Sequence, residues 1–305
     1  MNALPTEPSG LLIVRKEAGC TSHDVVNRVR RLYGTKRVGH AGTLDPMATG
    51  VLVVLVGRAA KASEYAVGGR KHYRATLRLG LTTDTEDVTG TVLTECDPDV
   101  TPGDVERVCR AFVGEILQVP PMYSALKRGG QKLCDIARAG GTVEREARPV
   151  TVYSLEVSHL SGSDYSLDVE CSAGTYIRTL CADIGAALGC GGVMAALERT
   201  SAVGFSIREA HTLAEVEALD PVGRLSLLRP IEGLFAELDE VRLPAFYERL
   251  FRSGCAILLK KLGLSPAPIG TRLRVSSADG GFFALGEVVA AEEGPAVKSV
   301  KLFVL

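Results

Sequence analysis

The chain has 305 residues, 46% of them apolar, with 35 Lys and Arg against 36 Asp and Glu for a formal net charge of −1. That is apolar material enough for two domains, and it excludes a largely disordered chain. The longest apolar run, residues 51–56, falls far short of the roughly 20 that a membrane span needs, and no basic region precedes an apolar stretch at the N-terminus, so a cytoplasmic protein without a signal peptide is expected.

Residues 10–14 (GLLIV) form a short apolar run bounded by polar residues and predict a buried strand. Val25, Val26, Val29, Leu32 and Tyr33 share a helical face, with Ser22 as N-cap and Gly34 as stop. Residues 38–50 (VGHAGTLDPMATG) read as a glycine-rich loop leading into a strand at 51–56. In residues 71–79 (KHYRATLRL) the alternation puts Tyr73, Ala75, Leu77 and Leu79 on one face of a strand. An acidic loop follows at 82–90. Thr101 and Asp104 then open a helix running to Phe112, before Gly114.

Residues 120–149 begin at a Pro-Pro pair, contain four glycines and one short helical stretch at 132–138, and carry Lys127, Arg128, Lys132, Arg138, Arg145 and Arg148. They predict a basic arm. Strands follow at 150–157 and 165–171, then a helix at 176–188 with Ile177, Leu180, Cys181, Ile184 and Leu188 on one face. Thr212 and Glu215 form a capping-box pattern. After Leu238 the chain turns to short strand-like pieces at 272–276, 282–290 and 297–304. The class is α+β, with domains at 1–235 and 236–305, the second small and β-rich.

Charge is uneven: residues 1–80 hold 13 Lys and Arg against 5 Asp and Glu. Such a quarter either binds a polyanion on one face or is a solvated basic face. The eight cysteines show no Cys-x-x-Cys spacing, so no metal site is expected and buried reduced thiols are the better reading.

Asp45 lies among glycines at 39, 42 and 50, where a planar ligand can approach the backbone. Asp before Pro is equally an ordinary cap of one helical turn. His40 is a loop histidine able to stack on a base. Tyr73, between Lys71 and Arg74, suits a nucleobase beside phosphates or an ordinary core position. Arg178, at a helix start, requires a carboxylate partner unless it lies on the surface.

Together these segments resemble a family. Gly39-His40-Ala41-Gly42-Thr43-Leu44-Asp45-Pro46-Met47-Ala48-Thr49-Gly50 closely resembles the catalytic loop of the TruB family of tRNA pseudouridine-55 synthases. So do Tyr73-Arg74-Ala75, Thr83-Asp84-Thr85-Glu86-Asp87, Pro120-Pro121-Met122-Tyr123-Ser124-Ala125 and Gly174-Thr175-Tyr176-Ile177-Arg178, in the family's order. The resemblance covers residues 10–210. It implies a pseudouridine synthase fold with a mixed, largely antiparallel central sheet and a PUA-like C-terminal domain. It implies Asp45 as the catalytic carboxylate, Tyr73 stacked on the target uracil, Arg178 holding the aspartate ionised, and His40 in space vacated by flipped nucleotides. Leu197 matches an apolar pocket residue, and Lys16 supports the site. The family's usual Lys-Pro reads Lys16-Glu17 here, which removes a fixed backbone angle and adds a charge. The implied activity is isomerisation of uridine 55 in the T loop of tRNA by a monomer without cofactor or metal, residues 120–149 closing over the RNA. The alternatives are an RNA-guided synthase and a tRNA-folding protein with secondary catalysis.

Overall fold

An apolar run without polar interruption fits a strand covered on both faces, and the segment after the glycine-rich loop is one. The computed structural model describes residues 7–66 and 69–303. Residues 1–6, which open the leader reading, and Val304, the end of a predicted strand, lie outside the described residues.

β1 (Gly10–Lys16) leads to α1 (Ser22–Tyr33), a short β2 (Val38–His40) and β3 (Thr49–Val56). Then come β4 (Lys71–Leu79), β5 (Leu81–Thr83), β6 (Val92–Glu95), α2 (Pro102–Arg110) and β7 (Gly114–Gln118). The arm holds a hairpin of β8 (Lys127–Arg128) and β9 (Gln131–Lys132), then α3 (Leu133–Arg138). β10 (Arg148–Ser161), β11 (Asp164–Cys171), α4 (Ile177–Ala187), β12 (Gly192–Ala202) and β13 (Phe205–Ser206) complete the first unit. Its sheet runs β1-β3-β12-β4-β11-β10-β7, with β2 on β3 and β13 on β12. β12 meets β3 in parallel, and the other pairings are antiparallel.

Period-two alternation sorts β1 and β3 between two cores. Leu12, Val14, Leu52 and Val54 join α1, α2 and α4 on one face, whereas Leu11, Ile13, Val51 and Val53 pack with Ala59 and Phe205 on the other. The residue capping α1 is Thr21, not Ser22: its hydroxyl accepts from the Asp24 amide while Asp24 accepts from the Thr21 amide. Ser22 turns inward for another task. The α2 helix stops at Arg110, two residues before the predicted Phe112. All eight cysteines are free, with Cys109, Cys171 and Cys181 buried but Cys96 and Cys255 exposed.

After α5 (Leu213–Ala218) and α6 (Pro221–Ser226) comes β14 (Glu240–Leu243), then α7 (Ala245–Arg252), β15 (Ile257–Leu258), β16 (Arg272–Ser277), β17 (Phe282–Ala291) and β18 (Gly294–Leu302). The second sheet runs β14-β16-β17-β18-β15 around its own apolar cluster. The two units join through Ala62, Phe235, Leu285 and Phe303, and through the Lys301–Glu64 and Arg274–Glu232 ion pairs at 3.0 and 2.8 Å. The fold is α+β with a mixed, largely antiparallel main sheet. Among the described residues no helix is long and apolar enough to cross a membrane.

Candidate active site

β2 runs antiparallel to β3 and leaves residues 41–48 as the loop between them. Buried side chains hold this loop from several directions. Leu44 is buried in the main core, and its amide and carbonyl both bond to Ser22 Oγ, at 2.9 and 3.0 Å. Asp45 to Ala48 is a tight turn closed by an Ala48 amide bond to the Asp45 carbonyl at 3.1 Å, with Pro46 in the position a turn favours. Lys16, 1% exposed, donates from Nζ to the carbonyls of Ala48 (2.6 Å), Glu17 (3.0 Å) and Pro46 (3.1 Å). Arg199, 0% exposed, reaches the carbonyls of Val51, Gly42 and Thr43 at 2.8, 3.2 and 3.3 Å. Gly50 has φ 104°, and a Cβ there would meet the Arg199 carbonyl at 2.2 Å, because β3 and β12 pair at this point.

Arg178 is the second residue of α4, a helix start that offers no side-chain cap from Tyr176. Gln118, at the end of β7, serves instead: its carboxamide accepts from the Tyr176 amide at 3.0 Å and donates to its carbonyl at 3.2 Å. Arg178 grips Asp45 with both prongs, Nε to Oδ2 at 3.0 Å and Nη2 to Oδ1 at 3.2 Å. It also donates to the carbonyls of Tyr123 (2.9 Å) and Thr85 (3.2 Å). One guanidinium thus ties together the loop that carries Asp45, the acidic loop and the root of the arm. Asp87 lies 3.9 Å from Nε, and its Oδ1 accepts from Thr85 Oγ1, Thr89 Oγ1 and the Thr89 amide. Burial raises the Asp45 pKa above its ordinary value; Arg178 pulls it down and Asp87 pushes it up, and the balance stays raised.

Asp45 opens on a cavity of about 310 Å³ whose lining includes Lys71, Tyr73, Tyr123, Tyr176, Arg178 and Leu197. Tyr73 and Leu197 come from the adjacent strands β4 and β12, where Leu197 pairs with Ala75. Four of the sequence-predicted residues, Asp45, Tyr73, Arg178 and Leu197, therefore share one cavity. Lys16 does not line it and acts from behind the loop. His40 does not line it either. Instead of an exposed loop residue it is the half-buried end of β2, its Nδ1 buried without a hydrogen-bond partner. Burial, then Arg199, lowers its pKa. Arg74 is exposed on the opposite face of β4 from Tyr73.

Sequence reasoning missed Arg199, Gln118 and the part Lys71 plays. The alternation that grouped Tyr73 with Ala75, carried one step back, puts Lys71 on the cavity face. No local signal marks Arg199 or Gln118. The basic first quarter is also less free than its count suggests. Arg15, Arg28, Arg70 and Arg78 pair with Glu198, Glu217, Glu170 and Asp164 from later in the chain. In the arm Lys127, Arg128 and Lys132 are exposed.

The sequence model of the TruB family pseudouridylate synthase N-terminal domain matches residues 30–177, and that of the tRNA pseudouridylate synthase B C-terminal domain matches residues 178–236. A relative named tRNA pseudouridine synthase B from Aromatoleum aromaticum is 45% identical over 80% of this chain and 80% of its own. Another of that name from Dechloromonas aromatica is 42% identical over 91% of each. The crystal structure of a Cbf5-Nop10-Gar1 complex superposes with TM-score 0.75 at 26% identity, covering 97% of this chain and 85% of that one. The chain belongs to the TruB family of pseudouridine synthases.

Proposed function

We propose that this pseudouridine synthase, an isomerase acting on tRNA, converts uridine 55 of the T loop, with Asp45 acting at the ribose of a nucleotide flipped into the cavity. The observation that carries the reading is the Asp45 carboxylate held by both prongs of Arg178 at the mouth of a cavity lined by Tyr73 and Leu197.

Pseudouridine formation breaks N1–C1′, turns the ring and rejoins it through C5. Nothing is oxidised and no outside group is transferred, so the chemistry requires no cofactor. Asp45 either attacks C1′ or takes the 2′ proton, and either role needs the ionised carboxylate. Arg178 favours that form against the burial that opposes it. Flipping the base costs about a few kcal/mol, and stacking on Tyr73 returns roughly 1–3 kcal/mol. Leu197 closes the apolar wall. His40, neutral at neutral pH because burial lowers its pKa, fills the space the flipped nucleotides leave. Lys16 fixes the loop through the Pro46 and Ala48 carbonyls, so Glu17 in place of the family's Pro leaves that anchor intact. The arm at 120–149 grips the T-arm stem-loop. The working unit is a cytoplasmic monomer of a catalytic domain at 1–235 and a PUA-like RNA-binding domain at 236–305.

The test uses purified protein and unmodified tRNA transcript carrying C5-tritiated uridine, with no guide RNA, cofactor or metal. Tritium release, with one pseudouridine mapped to the T loop, is expected from the wild type and not from Asp45→Asn. Tight binding without release supports the tRNA-folding alternative, and activity only with added guide RNA supports the guided one.

A further inference from the structure

Lys71 opens β4 with a strand on each side, pairing with Cys171 of β11 and Ala202 of β12. Its side chain is 7% exposed and reaches the catalytic cavity from the same face of β4 as Tyr73, two residues or roughly 6.6 Å further along. Its Nζ makes no hydrogen bond or ion pair with any of the described residues. Its nearest charged neighbour is another cation. Lys71 Nζ and Arg199 Nη1 converge on one spot above Gly42, 3.5 and 3.6 Å from where a Cβ there would sit. Arg199 spends its donors on three backbone carbonyls, whereas Lys71 has none. A buried, unpaired cation beside a like charge is costly, and such groups concentrate at functional sites.

Resting on the reading of the site above, we propose that Lys71 is a catalytic residue: its ammonium contacts a carbonyl oxygen of the flipped uracil and stabilises the negative charge the base gains as N1–C1′ breaks. In that step the bonding pair stays with N1 and spreads over the two carbonyl oxygens of the base. C1′ is satisfied either by a bond to the Asp45 carboxylate or by loss of the 2′ proton to it. When C5 attacks C1′, the Asp45 bond breaks or the 2′ proton returns, C5 loses its proton and N1 gains one, so composition is unchanged. The base leaves with the pair by either route, and Lys71 serves both. The base is the fitting partner, not a phosphate. Lys71 lies between paired strands at the cavity floor, whereas the phosphates of a flipped nucleotide stay with the RNA backbone at the mouth.

The titratable and charged groups acting on Lys71 are Arg199 from β12 and Cys171 from β11, while Tyr73 on its own strand and Asp45 from the loop line the same cavity. Burial, then Arg199, pushes the Lys71 pKa down to about 8, while Cys171 is pushed up to about 11 and Tyr73 is raised above its ordinary value. Lys71 thus titrates alone among its neighbours near pH 8. It is protonated below that value, and the stabilising charge is lost as pH rises through it.

The experiment compares wild type, Lys71→Met and Lys71→Arg in single-turnover pseudouridine formation on a T-arm transcript, with binding measured separately. Lys71→Met is expected to lower the saturated rate constant roughly 100-fold while Kd stays within threefold. Lys71→Arg, which keeps the charge at every accessible pH, is expected to stay within tenfold of wild type. The wild-type ratio of rate to Kd is expected to fall above about pH 8, and that of Lys71→Arg only where the substrate base itself ionises. A Lys71→Met rate within threefold of wild type overturns the proposal, as does a loss confined to Kd, which identifies a phosphate contact. If Lys71→Met does not fold, the pH profiles decide, and superposable profiles for wild type and Lys71→Arg overturn it. A wild type that forms no pseudouridine overturns the reading of the site instead.

Discussion

The cavity floor and the arm above it are built on opposite principles. Behind the floor, Lys16 and Arg199 are almost wholly enclosed and spend donors on backbone carbonyls of the loop that carries Asp45 and of its flank in β3. The arm has few buried residues, Pro120, Pro121, Ser124 and Leu133, and of its basic side chains Lys127, Arg128, Lys132, Arg138 and Arg148 are exposed, while Arg145 is half-buried and donates to the Pro120 carbonyl at 2.9 Å. Arg178, from below, donates to Tyr123 at the arm's root. Bond making at a sugar needs atoms fixed closely, which buried charge on backbone carbonyls supplies. Gripping a folded RNA needs mobile charge and tolerates loose packing. Substitutions in the floor should therefore change the chemical rate, and substitutions in the arm should change affinity and its salt dependence.

The strongest test of that division is Asp45→Asn, expected to lower the saturated rate by at least about 10³-fold with tRNA affinity nearly unchanged in a filter-binding assay. Next comes Arg178→Met, expected to cost roughly 10²–10³-fold in rate. It also moves the acid limb of the pH–rate profile. Asp45 must be ionised and its pKa already lies above the ordinary value, so activity is lost as pH falls through it. Without Arg178 the pKa rises further and the limb shifts to higher pH. Lys16→Met leaves the loop carbonyls of Pro46 and Ala48, and that of Glu17, without their donor and is expected to cost about 2–4 kcal/mol, read as a drop of several degrees in Tm with Asp45 still in place. The smallest effect belongs to the arm. Replacing Lys127, Arg128 and Lys132 together with Ala should weaken binding about tenfold at moderate salt and flatten the salt slope by roughly two to three, leaving Tm and the saturated rate unchanged. A slower saturated rate in that variant would break the comparison.

Much of the fold was legible because periodicity reports burial. The alternation in residues 71–79 and the apolar run at 51–56 each identified a strand and its covered faces. At the site, Asp45, Tyr73, Arg178 and Leu197 were legible through ordered motifs, though not their distances. Arg199 and Gln118 were illegible for a physical reason. A buried arginine or glutamine is made tolerable only by carbonyls brought from elsewhere, here from residues 42, 43, 51 and 176, and nothing within a few residues of either reveals them. The same holds for Arg15, Arg28, Arg70 and Arg78 in the basic first quarter, whose partners lie more than 80 residues away. The cap of α1 was misplaced by one residue because Thr21 and Ser22 are both good caps, and only the fold determines which hydroxyl Leu44 requires.

The strands at either end of the arm, β7 and β10, are already bonded to each other from Gly114–Val152 to Gln118–Arg148. The arm is therefore an excursion from a hairpin that is complete without it. Beyond Tyr123 and the other residues that line the cavity up to Leu126, the segment that leads to Arg148 can be shorter, longer or differently charged while the sheet closes as before. On the proposal that the arm grips the RNA, substrate choice resides in a segment that insertion and deletion can change without reopening that sheet.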